Sequence, residues 1–231
     1  MVGGDEVGEG VWEGLRVYRD ELLRWNERVN LTAIREPGEV DRRLIGDALR
    51  LLPAVDAYAG GGRLVDVGTG AGFPGLALKI ARPELDVTLI EATGKKVAFL
   101  RHVIETLGLE GVEAVHGRAE ELGHDRRYRG RFDLATARAV AVLPALLELC
   151  MPLLRVGGRA LFPKGAEVGT EFAEGERAAP LVGARIERAD LLPGEPDEPV
   201  TRLVIAAKIG ETPNRFPRRS GIPAKEPLGR A

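Results

Sequence analysis

Leu64-Val65-Asp66-Val67-Gly68-Thr69-Gly70-Ala71-Gly72-Phe73-Pro74-Gly75 is the stretch from which the rest of the chain is read. A short apolar run meets glycines at 68, 70, 72 and 75 and then a helical pattern with proline at its start. Glycines let the backbone turn sharply and let a ligand approach the main chain. The helix N-terminus beyond them offers unpaired N–H groups and a partial positive charge. The stretch therefore predicts a strand, a ligand-cradling turn and a helix. Gly70 to Gly75 also fits G-x-G-x-x-G, so a nicotinamide or flavin dinucleotide has to be weighed beside other nucleoside cofactors.

Downstream, strand-like runs at Val87–Ile90, Val112–Val115, Leu134–Thr136 and Arg159–Phe162 alternate with helical runs at Pro74–Ala81, Lys95–Leu107, Leu143–Leu154 and Glu167–Ala179. Alternation of this kind predicts a parallel sheet covered on both faces. Arg185–Leu191 and Arg202–Ala207 break the rhythm. They flank the turn-rich Pro193-Gly194-Glu195-Pro196-Asp197, which predicts an antiparallel hairpin at the sheet edge. Upstream, apolar positions from Val11 to Val29 are helically spaced. A second helix is expected over Glu36–Val55, with Pro37 in its first turn and a break near Pro53. The fold class expected is α/β and Rossmann-like, a seven-stranded, mostly parallel sheet. Its parts are a helical cap (1–60), the main domain (61–209) and a basic, proline-rich tail (210–231), integrated as one domain.

At 231 residues and 24.9 kDa the chain suits one α/β domain with an appendage, and 44% apolar with 29% charged residues argues against global disorder. No run approaches the ~20 apolar residues of a membrane helix. The acidic start (Asp5, Glu6, Glu9) has the wrong sign for a secretory signal. A single cysteine, Cys150, excludes an internal disulfide, and His102, His116 and His124 lack metal-ligand spacing. The expectation is a cytoplasmic, metal-free monomer. Net charge is −2, yet Lys208 to Arg230 carries six basic residues against two acids, which suggests that the tail meets something anionic.

Three features favour S-adenosylmethionine over a dinucleotide. Asp66 lies just before the glycines, placed to accept from the ligand's ammonium or a bound water. Glu91 ends the next strand about 20 residues on, where a carboxylate can accept ribose hydroxyls. The edge hairpin is a methyltransferase trait by fold analogy. The Gly68–Gly75 run also resembles the cofactor loop of the bacterial small-subunit ribosomal RNA guanine-N7 methyltransferases. The resemblance extends to Trp25-Asn26 … Asn30-Leu31-Thr32, Lys95-Lys96-Val97-Ala98-Phe99-Leu100, Arg118-Ala119-Glu120, Ala137-Arg138-Ala139, Lys164-Gly165 and Phe216-Pro217-Arg218-Arg219-Ser220-Gly221-Ile222-Pro223. One departure stands in the second helix, where the family's histidine and serine positions are Arg43 and Ala48; Asp47 between them is retained.

The resemblance implies S-adenosylmethionine as cofactor and 16S ribosomal RNA, or the small ribosomal subunit, as partner. It implies a cofactor site formed by Asp66, Gly68, Gly70, Gly72, Phe73, Glu91, Ala92, Thr93, Ala119, Glu120 and Arg138. Arg138 and Lys164 become the candidate catalytic residues, at the carboxyl ends of the fourth and fifth strands. Together with Arg215, Arg218 and Arg219 they are also the candidate RNA contacts, the tail being ordered only on binding, so that its removal would spare cofactor affinity. Guanine N7 has an in-plane lone pair and no proton, so alignment rather than a general base is the expected device. In agreement, the sequence holds no Asn/Asp-Pro-Pro-aromatic motif for an exocyclic amine, and Cys150 sits among leucines as a core residue rather than a nucleophile. A small-molecule methyltransferase, a nicotinamide-dependent oxidoreductase and a non-enzymatic RNA- or nucleotide-binding module are the competing readings. Trp12, Tyr18 and Trp25 are read as packing between cap and core.

Overall fold

A computed structural model describes residues 8–59, 62–166, 169–194 and 200–230. The first helix, α1 (Glu9–Asn26), buries Leu15, Tyr18 and Leu22 along one stripe. Its last residue pins the turn that follows. Asn26 Oδ1 accepts from the N–H groups of Leu31 (2.9 Å) and Thr32 (3.1 Å), and its Nδ2 donates to the Thr32 carbonyl at 2.9 Å.

The single helix expected over Glu36–Val55 is divided. It runs as α2 (Pro37–Val40), a π-helical turn (Asp41–Gly46) and α3 (Asp47–Leu49), then restarts as α4 (Leu52–Ala59). The break falls just ahead of Pro53, because proline lacks an N–H and is accommodated in a first turn but not in a helix interior.

The main domain continues with β1 (Arg63–Val67), α5 (Gly75–Ala81), β2 (Asp86–Glu91), α6 (Gly94–Thr106), β3 (Val112–His116), α7 (Ala119–Leu122), β4 (Phe132–Thr136), α8 (Leu143–Cys150), β5 (Leu154–Gly165) and α9 (Gly169–Ala178). After a 3₁₀ turn (Ala179–Val182) come β6 (Ala184–Leu192), β7 (Thr201–Lys208) and α10 (Ile222–Lys225). The sheet has seven strands in the order β3-β2-β1-β4-β5-β7-β6. Pairs among β1 to β5 are parallel, while β7 runs antiparallel between β5 and β6, which is the edge hairpin the sequence predicts. The hairpin turn residues 195–199, Glu167 and the acidic residues Asp5 and Glu6 lie outside the described residues.

Two apolar layers sandwich the sheet. On one face Leu15, Tyr18, Leu22, Leu49, Leu52 and Val55 of the leading helices join Leu76, Leu78, Phe99 and Leu100 in a single cluster. The other face packs Val65 and Val67 against Leu146, Leu147 and Cys150 of α8 and against Ala178. Burial pushes the Cys150 thiol up, away from the thiolate, and it is a core residue. The aromatic reading of the cap holds for Tyr18 and Trp25 but not for Trp12. Tyr18 stacks on Phe73 with ring centroids 4.9 Å apart, and Trp25 lies against Phe99 at 5.6 Å, whereas Trp12 is at the surface.

The C-terminal segment differs from expectation. Instead of an unstructured tail awaiting RNA, it is folded onto α7 and α8. Phe216 is buried, and Arg129 donates to the carbonyls of Thr212 (2.7 Å) and Phe216 (2.9 Å). The physical reason is Glu148, which sits in α8 with its side chain fully enclosed. Arg218 meets it with Nε at 2.9 Å and Nη2 at 2.7 Å, and the Arg218 N–H adds a third bond at 2.8 Å. A buried carboxylate without such a partner would carry a large desolvation cost, so the segment is held by the helix it satisfies.

Candidate active site

The carboxyl ends of β1 to β5 form one rim, and the sequence places a candidate residue at each. At β1 the chain leaves the sheet through the glycine turn. Gly68 and Thr69 donate to the Ile90 carbonyl at 2.9 and 3.1 Å, which fastens the turn to the end of β2. Gly68, Gly70 and Gly72 all have positive φ (67°, 62° and 102°), a region costly to residues with a Cβ. Their surroundings differ. A Cβ at Gly72 would lie 2.6 Å from the Tyr18 hydroxyl and 3.0 Å from Leu76 and Leu100, and one at Gly68 would lie 2.7 Å from Val140; at Gly70 nothing is within 4 Å. Gly70 is thus the glycine that faces open space.

Asp66 is buried beneath the turn. Its Oδ2 accepts from the Thr69 hydroxyl at 2.6 Å and the Gly75 N–H at 2.8 Å, so this carboxylate first of all shapes the loop. Its Oδ1 has no partner, and neither has Thr136 Oγ1, although both are buried. These two residues are register partners on the paired strands β1 and β4. Burial raises the Asp66 pKa from 3.8 to about 6, against the opposing pull of Thr69, Gly75 and Arg138. Buried polar atoms are seldom left unsatisfied, so an unpaired acceptor under an open glycine turn fits a cationic or hydroxyl-bearing ligand such as S-adenosylmethionine.

Glu91 closes the same cradle from β2. Its Oε2 accepts from Gly70 N–H at 3.0 Å and its Oε1 from Thr93 N–H at 2.8 Å, so one buried carboxylate orients both loops. Ala92 and Thr93 are exposed beside it, and His116 contacts the Ala92 carbonyl at 3.0 Å. At β3, Ala119 opens α7 in a buried position, and Glu120 Oε1 accepts from Gly221 N–H at 2.8 Å, tying this part of the rim to the C-terminal segment. Phe73 lies on the turn. Its ring turns from the rim into the cap, onto Tyr18, whose hydroxyl donates to the Ala71 carbonyl at 2.5 Å.

Beyond β4, Arg138 donates to Asp47 Oδ2 and to the Arg43 carbonyl, both at 3.2 Å. Ala139 adopts φ 56°, the one positive value among described residues other than glycine, which turns Arg138 and Val140 to opposite tasks. Val140 packs over Gly68, while Ala139 lines a separate cleft with Arg138. From β5, Lys164 pairs with Glu171 at 2.5 Å and donates to the Ala141 carbonyl at 3.1 Å. Of the tail arginines, Arg215 and Arg219 are exposed and Arg218 is turned inward to Glu148. His124 contacts the Pro217 carbonyl at 2.7 Å, and His102 contacts Glu21 at 2.8 Å.

Sequence reasoning missed three contributors to the site. Thr69 carried a local signal, since a hydroxyl three residues after a carboxylate can close a small turn. Tyr18 and Val140 carried none, because their partners lie 53 and 72 residues away in the chain.

The family model described as rRNA small subunit methyltransferase G matches residues 12–192. The protein named ribosomal RNA small subunit methyltransferase G of Chloroflexus aggregans is 48% identical, over 97% of this chain and 93% of its own length. That of Desulfitobacterium hafniense is 42% identical, over 97% and 90%. Among solved structures, geranyl diphosphate methyltransferase in complex with SAM superimposes with a TM-score of 0.54 at 15% identity, covering 71% of this chain and 85% of that one. The antibiotic-resistance methyltransferase Kmr gives 0.53 at 20%, covering 70% and 92%. The structural likenesses speak for the fold alone.

Proposed function

The chain belongs to the rRNA small subunit methyltransferase G family, and from that premise we propose that it transfers a methyl group to N7 of one guanine in 16S ribosomal RNA. The observation that carries the reading is the cradle of Gly70, Glu91 and Asp66 at the ends of β1 and β2. S-adenosylmethionine, when bound, supplies an electrophilic methyl group. The residues that would hold it are the Gly68–Gly72 turn, with Asp66 Oδ1 beneath, Glu91 with Ala92 and Thr93 on the ribose side, and Ala119 with Glu120 on the base side. Phe73 acts from behind, by bracing the turn against Tyr18.

N7 of guanine needs no deprotonation, so the protein's task is to hold the base, exclude water and fix its approach. Arg138 and Lys164 stand at the ends of β4 and β5, the edge of an α/β sheet where such sites open. We assign them to the target nucleotide and its phosphate, Arg138 having the bidentate geometry suited to either. The exposed Arg215 and Arg219 track the RNA backbone, and Arg218 holds the segment that presents them. Among the described residues no helix is long and apolar enough to cross a membrane; we propose a cytoplasmic monomer.

Isothermal titration with S-adenosylmethionine, with NADH in a parallel cell, tests the cofactor assignment. Saturable binding of the former is expected, weakened at least tenfold by Glu91→Ala. Binding of NADH alone would overturn it. Labelled methyl transfer to 16S RNA, located at N7 by aniline-induced strand scission, tests the reaction.

A further inference from the structure

Between the ends of β4 and β5 and helix α3 lies a cleft of about 260 Å³, smaller than the ~300–1,000 Å³ usual for a drug-sized ligand and on the scale of one base. It abuts the cofactor cradle, for Ala139 lines the cleft while its neighbour Val140 packs on Gly68. Three cations line it: Arg50, Arg138 and Lys164. Among its lining residues Asp47 is the one carboxylate. Asp47 is held from two sides, by Arg50 at 2.9 Å and Arg138 at 3.2 Å, and a third of its side chain stays accessible.

We infer that Asp47 is the residue that selects guanine, by accepting the N1–H and N2–H donors of the base. The inference rests on the N7 reading above. A purine delivered to the cradle through N7 turns its Watson–Crick edge away from the cradle. On that edge guanine presents two adjacent donors, which match the two oxygens of a carboxylate. Adenine presents an acceptor at N1 and nothing at C2, so it would oppose Asp47 with a lone pair. The cations of the cleft are donors only and suit O6 or phosphate. Arg50 and Arg138 hold Asp47 in one orientation, so little ordering is left to occur when the base arrives.

The test uses 16S RNA ligated to carry guanosine or inosine at the target position. Inosine keeps N7, O6 and N1–H but lacks the N2 amine. The wild type is expected to prefer guanosine in kcat/KM by about 10- to 100-fold, the range of one hydrogen bond to a charged group. In Asp47→Asn the guanosine rate falls and the preference shrinks to within about threefold of unity, while affinity for S-adenosylmethionine by calorimetry stays within twofold. Equal use of guanosine and inosine by the wild type, which needs no variant, overturns the assignment, as does an undiminished preference in Asp47→Asn. Methylation of guanosine at an atom other than N7, or no transfer to either RNA, overturns the reading on which it rests.

Discussion

Glycines 70 and 72 lie two residues apart with similar backbone handedness, yet their neighbourhoods assign them different duties. Gly70→Ala meets no atom, so its stability cost is only the strain of a left-handed residue, about 1 kcal/mol, whereas its effect on cofactor affinity should be at least tenfold. Gly72→Ala adds a collision with Tyr18 and two leucines, and should cost about 3 kcal/mol or more in urea unfolding. Equal losses of stability for the two would mean that Gly70 does not face open space, and an unchanged cofactor affinity in Gly70→Ala that it does not face the cofactor. Asp66 offers a second test. Its carboxyl keeps a proton in the folded state between pH 3.8 and about 6, a range in which the unfolded chain has released it. Its contribution to stability is therefore present at low pH and lost as pH rises through about 6. Relative to Asp66→Asn, the wild type should lose on the order of 3 kcal/mol between about pH 4 and pH 7. A difference that stays flat with pH would refute it.

At the scale of elements, the C-terminal segment behaves as part of the scaffold. Arg218 compensates a carboxylate inside α8, and Gly221 bonds to Glu120 at the entrance of α7, so the segment touches both the core and the cofactor rim. Arg218→Ala should destabilise by about 3–5 kcal/mol, because it leaves Glu148 buried and unpaired. Arg218→Met with Glu148→Leu should recover most of that loss, since neither charge then remains. Truncation after Gly210 is expected to weaken cofactor binding as well as RNA binding. Circular-dichroism melts and cofactor calorimetry on the truncated protein check this, and unchanged affinity for the cofactor would show that the Glu120–Gly221 bond is without consequence. The β4–α8 loop is the comparable case on the other side. Its left-handed Ala139 lies between Arg138, which meets Asp47, and Val140, which packs on Gly68, so one strained residue separates two side chains with different partners.

Across the whole molecule, a net charge of −2 supplies no general attraction for RNA, so binding has to come from a local basic face. Under the proposed function the exposed Arg215 and Arg219 belong to that face, whereas Arg218 is engaged with Glu148. Replacing both exposed arginines by alanine should reduce the slope of log affinity against log salt by about 1.4, at ~0.7 per phosphate contact on single strands. Cofactor affinity should be untouched. Fluorescence anisotropy over a salt series measures the slope, and an unaltered value would remove these arginines from the interface.

Much of this architecture was legible along the chain. Alternating apolar runs imply a parallel sheet, and the edge hairpin was visible as two runs about a turn-rich stretch. The glycine turn with Asp66 and Glu91 at the strand ends marked the cradle. These are signals of short range, set by backbone freedom and by the period of strand and helix. What only the tertiary structure decided involves partners distant in sequence. Glu148 and Arg218 read separately as a helix-face acid and an RNA-binding base, and they become one buried pair because α8 faces the C-terminal segment. Phe73 reads as a loop residue with no packing partner until Tyr18 arrives from the cap. Asp47 reads as a helix-face carboxylate until the sheet order sets Arg138 and Lys164 beside it. Local propensity determines which segments form and which turn can receive a ligand. Which charges are buried together, and which face the open cleft, is determined by desolvation once the layers close, and no spacing along the chain encodes that.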